Sequence, residues 1–197
     1  RIVVGGVCSG AYTAFHAGLR LPSGAVSGAL IVNPLAFYWK DGMSLDIPPA
    51  YHSIREAKEY ERSVRDPQKW LRLLKGQVNL GRIARFVLRR THEAAKGAYR
   101  TTLEELRIIS PRPLALDLAR YRDFSLRADF VFSESDPGYE ILRSAAGHIL
   151  RRLERRGCVS TAFIEQADHT FSRMEWRAEL SKAVVSRLDA YRVAARK

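Results

Sequence analysis

The sequence predicts an α/β protein with a mostly parallel sheet flanked by helices. Short apolar runs of strand length alternate along the chain with longer segments of helical periodicity. The apolar runs end in glycine-containing or polar loops, as expected where parallel strands lead into crossover helices. In sheets of this kind, ligands bind at the carboxyl ends of the strands.

The elements follow one another in a regular order. Strands are predicted at residues 2–4, 29–32, 130–132 and 158–164. Helices are predicted at residues 11–21, 69–75, 83–90, 114–122, 139–156 and 176–195. Gly5 and Gly6 are assigned to the turn after the first strand, and Asn33-Pro34 to a break after the second.

The middle of the chain interrupts this alternation. Residues 51–107 contain charged helical stretches without a convincing strand, so we expect a helical insertion between the core segments 1–50 and 108–197 of one domain. The insertion holds 14 Lys or Arg against 7 Asp or Glu. This basic excess suggests an anionic group on a substrate, and the alternative is a solvated helical face.

Composition bounds the class of protein. A chain of 197 residues with 46% hydrophobic content can bury a core. The net charge of +12 is accompanied by no nucleic-acid motif, so no nucleic-acid partner is expected. Two cysteines far apart form no zinc motif, so we expect no metal, no cofactor and a reduced, cytoplasmic protein. No run approaches the roughly 20 apolar residues that span a bilayer.

The segment Gly6-Val7-Cys8-Ser9-Gly10 fits the nucleophile elbow, G-x-nucleophile-x-G, between a predicted strand and a helix. The spacing selects Cys8, because Gly6 and Gly10 then flank it where we expect no room for a β-carbon. A helix N-terminus and a nearby imidazole would favour its thiolate. The backbone N–H of Ser9 would donate to the oxyanion. Ser9 remains an alternative nucleophile, and an inert buried Cys8 the noncatalytic alternative.

Two further residues follow predicted strands. Asp136 comes after the third strand and His169 after the fourth, which gives the order nucleophile, acid, histidine. Of the five histidines, only His169 lies in a loop that follows a strand. Glu134 is the alternative acid, and Asp168 is expected to shape the histidine loop. A simple turn aspartate and an exposed loop histidine are the alternatives for the first two residues.

Three segments together resemble the α/β-hydrolase fold superfamily. Gly-Val-Cys-Ser-Gly-Ala at 6–11 is similar to the cysteine-containing elbows of dienelactone-hydrolase-like and exosortase-associated hydrolases. Ser-Asp-Pro-Gly at 135–138 and Ala-Asp-His-Thr-Phe at 167–171 resemble the acid and histidine loops of that superfamily. The resemblance covers nearly the whole chain, from the nucleophile strand to the last helix.

The resemblance implies features beyond these motifs. It implies that the first strands of the fold, with a second oxyanion donor, precede Arg1, so that this chain is the C-terminal part of a longer protein. The first strand would then have an exposed edge. It also implies that residues 51–107 form a helical lid over the active site.

The expected function is hydrolysis or transfer of an acyl group from an ester or thioester by Cys-His-Asp nucleophilic catalysis. Cys8 would attack the carbonyl, while His169, oriented by Asp136, would move the proton. The sequence does not separate esterase, thioesterase and acyltransferase, and it leaves the oligomeric state open. The alternatives are a serine hydrolase that uses Ser9 and a noncatalytic binding module for an acidic partner.

Overall fold

The computed structural model describes residues 2–22, 24–39, 41–42, 80–106, 108–134 and 136–194. The chain divides into two compact units, one formed by Arg1–Met43 with Arg112–Lys197 and the other by Ser44–Pro111. The described elements, numbered in chain order, are β1 (Ile2–Val7), α1 (Ser9–Arg20), β2 (Val26–Val32), α2 (Leu80–Glu105), α3 (Pro113–Asp123), β3 (Arg127–Ser133), α4 (Gly138–Arg155), β4 (Val159–Ile164) and α5 (Met174–Ala194).

The first unit contains one sheet. Its four strands are all parallel and lie in the order β1-β2-β3-β4. Val7 pairs with Val32, and Val32 pairs with Val131 close to the end of β3. The carboxyl ends of the strands therefore meet at one edge of the sheet, which is where an α/β protein builds its site.

Helices cover both faces of this sheet, as predicted. Successive side chains of a strand point to opposite faces. Ile31 of β2 belongs to a core shared with α1, α3 and α4. Its neighbour Leu30 belongs to a second core, which partly buried residues of α5 complete. The two central strands are thus buried on both faces, as is typical of parallel sheets.

The larger core contains a close helix contact. Tyr121 of α3 is fully buried, and its hydroxyl donates to the backbone carbonyl of Phe15 in α1 at 2.7 Å. A β-carbon on Gly18 would overlap the Tyr121 ring. The glycine therefore lets α1 and α3 approach each other at this point.

β1 is longer than the sequence predicts. It continues through Gly5 and Gly6, which pair with Leu30 and Ile31 of β2, so their assignment to a turn was wrong. Parallel pairing holds both glycines extended, although their propensity alone favours a turn. At its outer edge, β1 pairs with no other described strand, and its Ile2 is 60% exposed.

Within residues 51–107, the described part is helical. The 26-residue helix α2 includes the segment 83–90 that was predicted to be helical, and it belongs to the second unit. The helix predicted at 69–75 lies outside the described residues. No helix among the described residues has the length and apolar character needed to cross a membrane.

The turn between β1 and α1 is unusually tight. Cys8 adopts φ 55, in the left-handed region that favours glycine, and its backbone N–H donates to Val32 at 2.9 Å. A β-carbon on Gly6 would overlap the backbone of Gly10, so only glycine fits at position 6. The space around Gly10 is open. The expectation of crowding there was wrong. The backbone of Gly10 faces β1, whereas a β-carbon on Gly10 would point into open space.

This difference between the two glycines can be tested by unfolding. Gly6→Ala should lower the free energy of unfolding by about 3 kcal/mol or more, because the new methyl group meets backbone that cannot move aside. Gly10→Ala should change it by less than about 1 kcal/mol, since alanine suits an open helical position. Urea denaturation followed by circular dichroism measures both. Equal losses in the two variants would contradict the assigned geometry.

Candidate active site

Asp136 and His169 meet at the carboxyl edge of the sheet. The Asp136 side chain is fully buried, and its Oδ2 is hydrogen-bonded to Nδ1 of His169. Its Oδ1 accepts from the backbone N–H of Gly138, the first residue of α4, at 2.7 Å. The same carboxylate thus stabilises a turn and orients the histidine. The interpretation of Asp136 as a turn aspartate is therefore compatible with its interpretation as the partner of His169.

Gly138 makes this arrangement sterically feasible. A β-carbon there would lie 2.7 Å from Oδ1 of Asp136, and it would also overlap the backbone oxygen of Pro34. The glycine of the Asp-Pro-Gly segment therefore lets the backbone approach the carboxylate closely enough to donate to it.

The histidine loop is anchored on both sides of His169. Ala167 and Phe171 are buried in the core beneath α5. Between them, the half-buried Asp168 accepts from the backbone N–H groups of Thr170 at 3.1 Å and Ser172 at 3.0 Å. Hydrogen bonds from Ser172 and Thr170 hold the pKa of Asp168 below its ordinary value. Asp168 shapes the loop, as expected.

His169 lies in an environment that favours its protonated form. The hydrogen bond to Asp136, reinforced by nearby Cys8 and opposed by partial burial, raises the pKa of His169 from 6.5 to about 9. Its Nε2 is buried and forms no hydrogen bond with any described residue. Cys8 is close enough to His169 to contribute to this raised pKa, although the buried Nε2 forms no hydrogen bond with it.

Cys8 and Ser9 occupy different places at the elbow. Cys8, half-buried, is the N-cap residue of α1 and has the left-handed backbone at the turn. Ser9 is the first residue of the helix, and its side chain is exposed. The first backbone N–H groups of a helix have no intrahelical partner, and that of Ser9 is one of them. Its donation to an oxyanion stays a prediction.

Glu134, the alternative acid, has another contact. Its Oε2 accepts from the backbone N–H of Gln166 at 2.8 Å. Nδ1 of His169 is bound by Asp136, and Nε2 has no hydrogen-bond partner among the described residues. Glu134 therefore connects the ends of β3 and β4, whereas Asp136 holds the ring.

The contacts of Asn33 were not predicted from the sequence, in which this residue marked only a strand break. Asn33 directly follows β2 and is fully buried. Its side chain accepts from the backbone N–H of Ser133 at 2.8 Å and donates to the backbone oxygen of His169 at 2.7 Å. The available signal was its position, since a polar residue at the carboxyl end of a buried parallel strand lies where sites form.

No described group of three or more His, Cys, Asp or Glu side chains is arranged to hold a metal ion. Comparisons with protein-family models, with curated proteins and with solved structures found no match. The assignment of Cys8 as nucleophile, Asp136 as acid and His169 as base therefore rests on local geometry and stays a prediction.

Proposed function

We propose that this chain is an acyl-transfer enzyme of the α/β-hydrolase type, with Cys8, His169 and Asp136 as its catalytic triad. One observation carries the proposal: a fully buried carboxylate holds Nδ1 of His169, and the elbow residue Cys8 is close enough to contribute to the raised pKa of the same imidazole. A nucleophile, a base and a group that orients the base are the parts that covalent acyl transfer requires.

The protonation state of His169 favours a cysteine mechanism. A pKa of about 9 keeps the imidazole protonated at neutral pH and so supports a neighbouring thiolate. A serine hydroxyl would instead need a neutral imidazole to remove its proton. The backbone of the elbow supports Cys8 over Ser9 as the nucleophile, because Cys8 occupies the turn and Ser9 is the first residue of the helix.

The proposed reaction has two halves. The Cys8 thiolate attacks the carbonyl carbon of an ester or thioester, and the electron pair of the C=O bond moves to oxygen. The Ser9 backbone N–H stabilises this oxyanion. As the tetrahedral intermediate collapses, the leaving alcohol or thiol takes the proton of His169, and an acyl-Cys8 thioester remains.

In the second half, His169 removes a proton from water, which attacks the acyl-Cys8 carbonyl. Collapse of this second intermediate releases a carboxylic acid and restores the thiolate and the protonated imidazole. An alcohol or thiol acceptor in place of water would make the reaction a transferase. Asp136 keeps Nε2 directed at the reacting atoms throughout, because it fixes Nδ1.

The hydrolase fold and the lid belong to this proposal. The parallel order β1-β2-β3-β4 and the distribution of helices over both faces support the fold assignment. The helical character of α2 and the basic excess of residues 51–107 support a lid that favours substrates with an anionic group. A comparison of kcat/KM between anionic and neutral acyl substrates would test that preference.

The nucleophile is tested by two neighbouring substitutions. Cys8→Ala should reduce turnover of aryl ester and acyl-thioester probes by about 10,000-fold or more, because no covalent intermediate can form. Ser9→Ala should retain most of the activity, since alanine preserves the backbone N–H. Steady-state kinetics measures both variants. Activity in Cys8→Ala together with its loss in Ser9→Ala would identify a serine hydrolase instead.

The pH dependence is tested through His169. Folding raises its pKa from 6.5 to about 9, so protonated His169 stabilises the folded chain below pH 6.5, and this contribution is lost as the pH rises through about 9. By the same titration, kcat/KM should fall above about pH 9, where the leaving group loses its proton donor. In Asp136→Asn, the pKa should move back toward 6.5, because the bond to Asp136 is the largest cause of the shift. NMR titration of the imidazole measures it.

The matched variant is Glu134→Gln, which removes one negative charge at the end of the same strand. It should leave the titration of His169 close to that of the wild type, because Glu134 bonds to the loop backbone. A larger shift in Glu134→Gln than in Asp136→Asn would make Glu134 the acid.

A further inference from the structure

The end of β2 contacts all three parts of the candidate site. The backbone oxygen of Val32 accepts from the N–H of Cys8 at 2.9 Å. The next residue, Asn33, bonds through its side chain to Ser133 and to His169. Ser133 in turn begins the acid turn, since its backbone oxygen accepts from the N–H of Asp136 at 3.0 Å. Two consecutive residues therefore join the nucleophile turn, the acid turn and the histidine loop.

The chemistry of the Asn33 contacts requires an amide. Its Oδ1 accepts from the Ser133 N–H, while its Nδ2 donates to the backbone oxygen of His169 at 2.7 Å and to Oγ of Ser133 at 3.3 Å. A carboxylate could only accept, and a hydroxyl is too short to reach both neighbouring loops. Asn33 also adopts φ 45, a conformation that asparagine tolerates better than most residues.

We propose that Asn33 is a positioning residue, which holds the backbone of His169 where the imidazole can reach both Asp136 and Cys8. The bond to the His169 carbonyl fixes the base of that side chain, and the bond to Ser133 fixes the strand end from which Asp136 projects. Both loops are thereby held in place by the end of β2, which also binds the backbone N–H of Cys8. Any effect of Asn33 on turnover rests on the proposed function. Its effects on alkylation of the Cys8 thiol and on titration of the His169 imidazole do not.

The contribution of Asn33 can be removed in two ways. Asn33→Gly deletes all three side-chain bonds and tolerates φ 45. Asn33→Asp keeps the shape and the acceptor for Ser133 but has no N–H for the His169 carbonyl. Its negative charge near His169 would favour the imidazolium, so a purely electrostatic effect predicts a His169 pKa above the wild-type value, whereas loss of positioning predicts one below it. Positioning predicts slower reaction in both variants.

The experiment measures the second-order rate of iodoacetamide alkylation at Cys8 near neutral pH, with the site identified by peptide mass. We expect a fall of roughly 10- to 100-fold in both variants, the loss typical of a misplaced reacting group. NMR titration should show the pKa of His169 in Asn33→Gly below the wild-type value of about 9. Should Asn33→Gly fail to fold, Asn33→Asp still decides between positioning and electrostatics.

The control is Tyr121→Phe, which removes a buried side-chain to backbone hydrogen bond of the same 2.7 Å length in the core between α1 and α3. It should leave both the alkylation rate and the His169 titration at wild-type values. An equal fall in this control, or wild-type alkylation in both Asn33 variants, overturns the proposal. If the wild type turns over no acyl probe and the Asn33 variants are still alkylated more slowly, the result supports positioning and rejects the proposed function.

Discussion

The backbone of α1 begins so close to β1 that only glycine fits at position 6, and the candidate site depends on this contact. To enter a helix at this distance, the chain must reverse direction through Cys8 in the left-handed region. A conformation of this kind costs about 1–3 kcal/mol for a residue with a side chain, and surrounding contacts must maintain it. Here, the Cys8 N–H bonds to β2, and α1 packs on the sheet through the large core.

Charge balance imposes a second requirement on the same edge. A fully buried carboxylate is costly unless its oxygens have partners, and Asp136 satisfies this condition with one backbone N–H and one imidazole. The histidine loop can supply that imidazole in a fixed orientation, because Ala167 and Phe171 anchor it in the core. Electrostatics and packing thus act on different parts of the same loop.

Local patterns were sufficient to predict the sheet, the helices and the order of the candidate residues. Strand alternation and helical periodicity depend on neighbouring residues, so most of the described elements were placed to within a few positions, whereas α2 continues from the predicted 83–90 to Glu105. The glycines of β1 were assigned wrongly because pairing overrode their propensity. The crowding assigned to Gly10 was wrong, since sequence spacing does not show which way a helical side chain points. Asn33 was missed because its partners lie 100 and 136 residues away.

The two cores contribute different halves of the candidate site. Cys8 depends on the layer that contains α1, whereas the loop of His169 is anchored in the layer that contains α5. Helix α5 completes its core with partly buried residues such as Trp176 and Leu180, so it has less buried contact with which to resist local opening. Without docked α5, the chain would keep the contacts of the elbow but lose the core that anchors the loop of His169. Under the proposed function, the Cys8 thiol therefore gains its imidazole partner only when both layers have assembled.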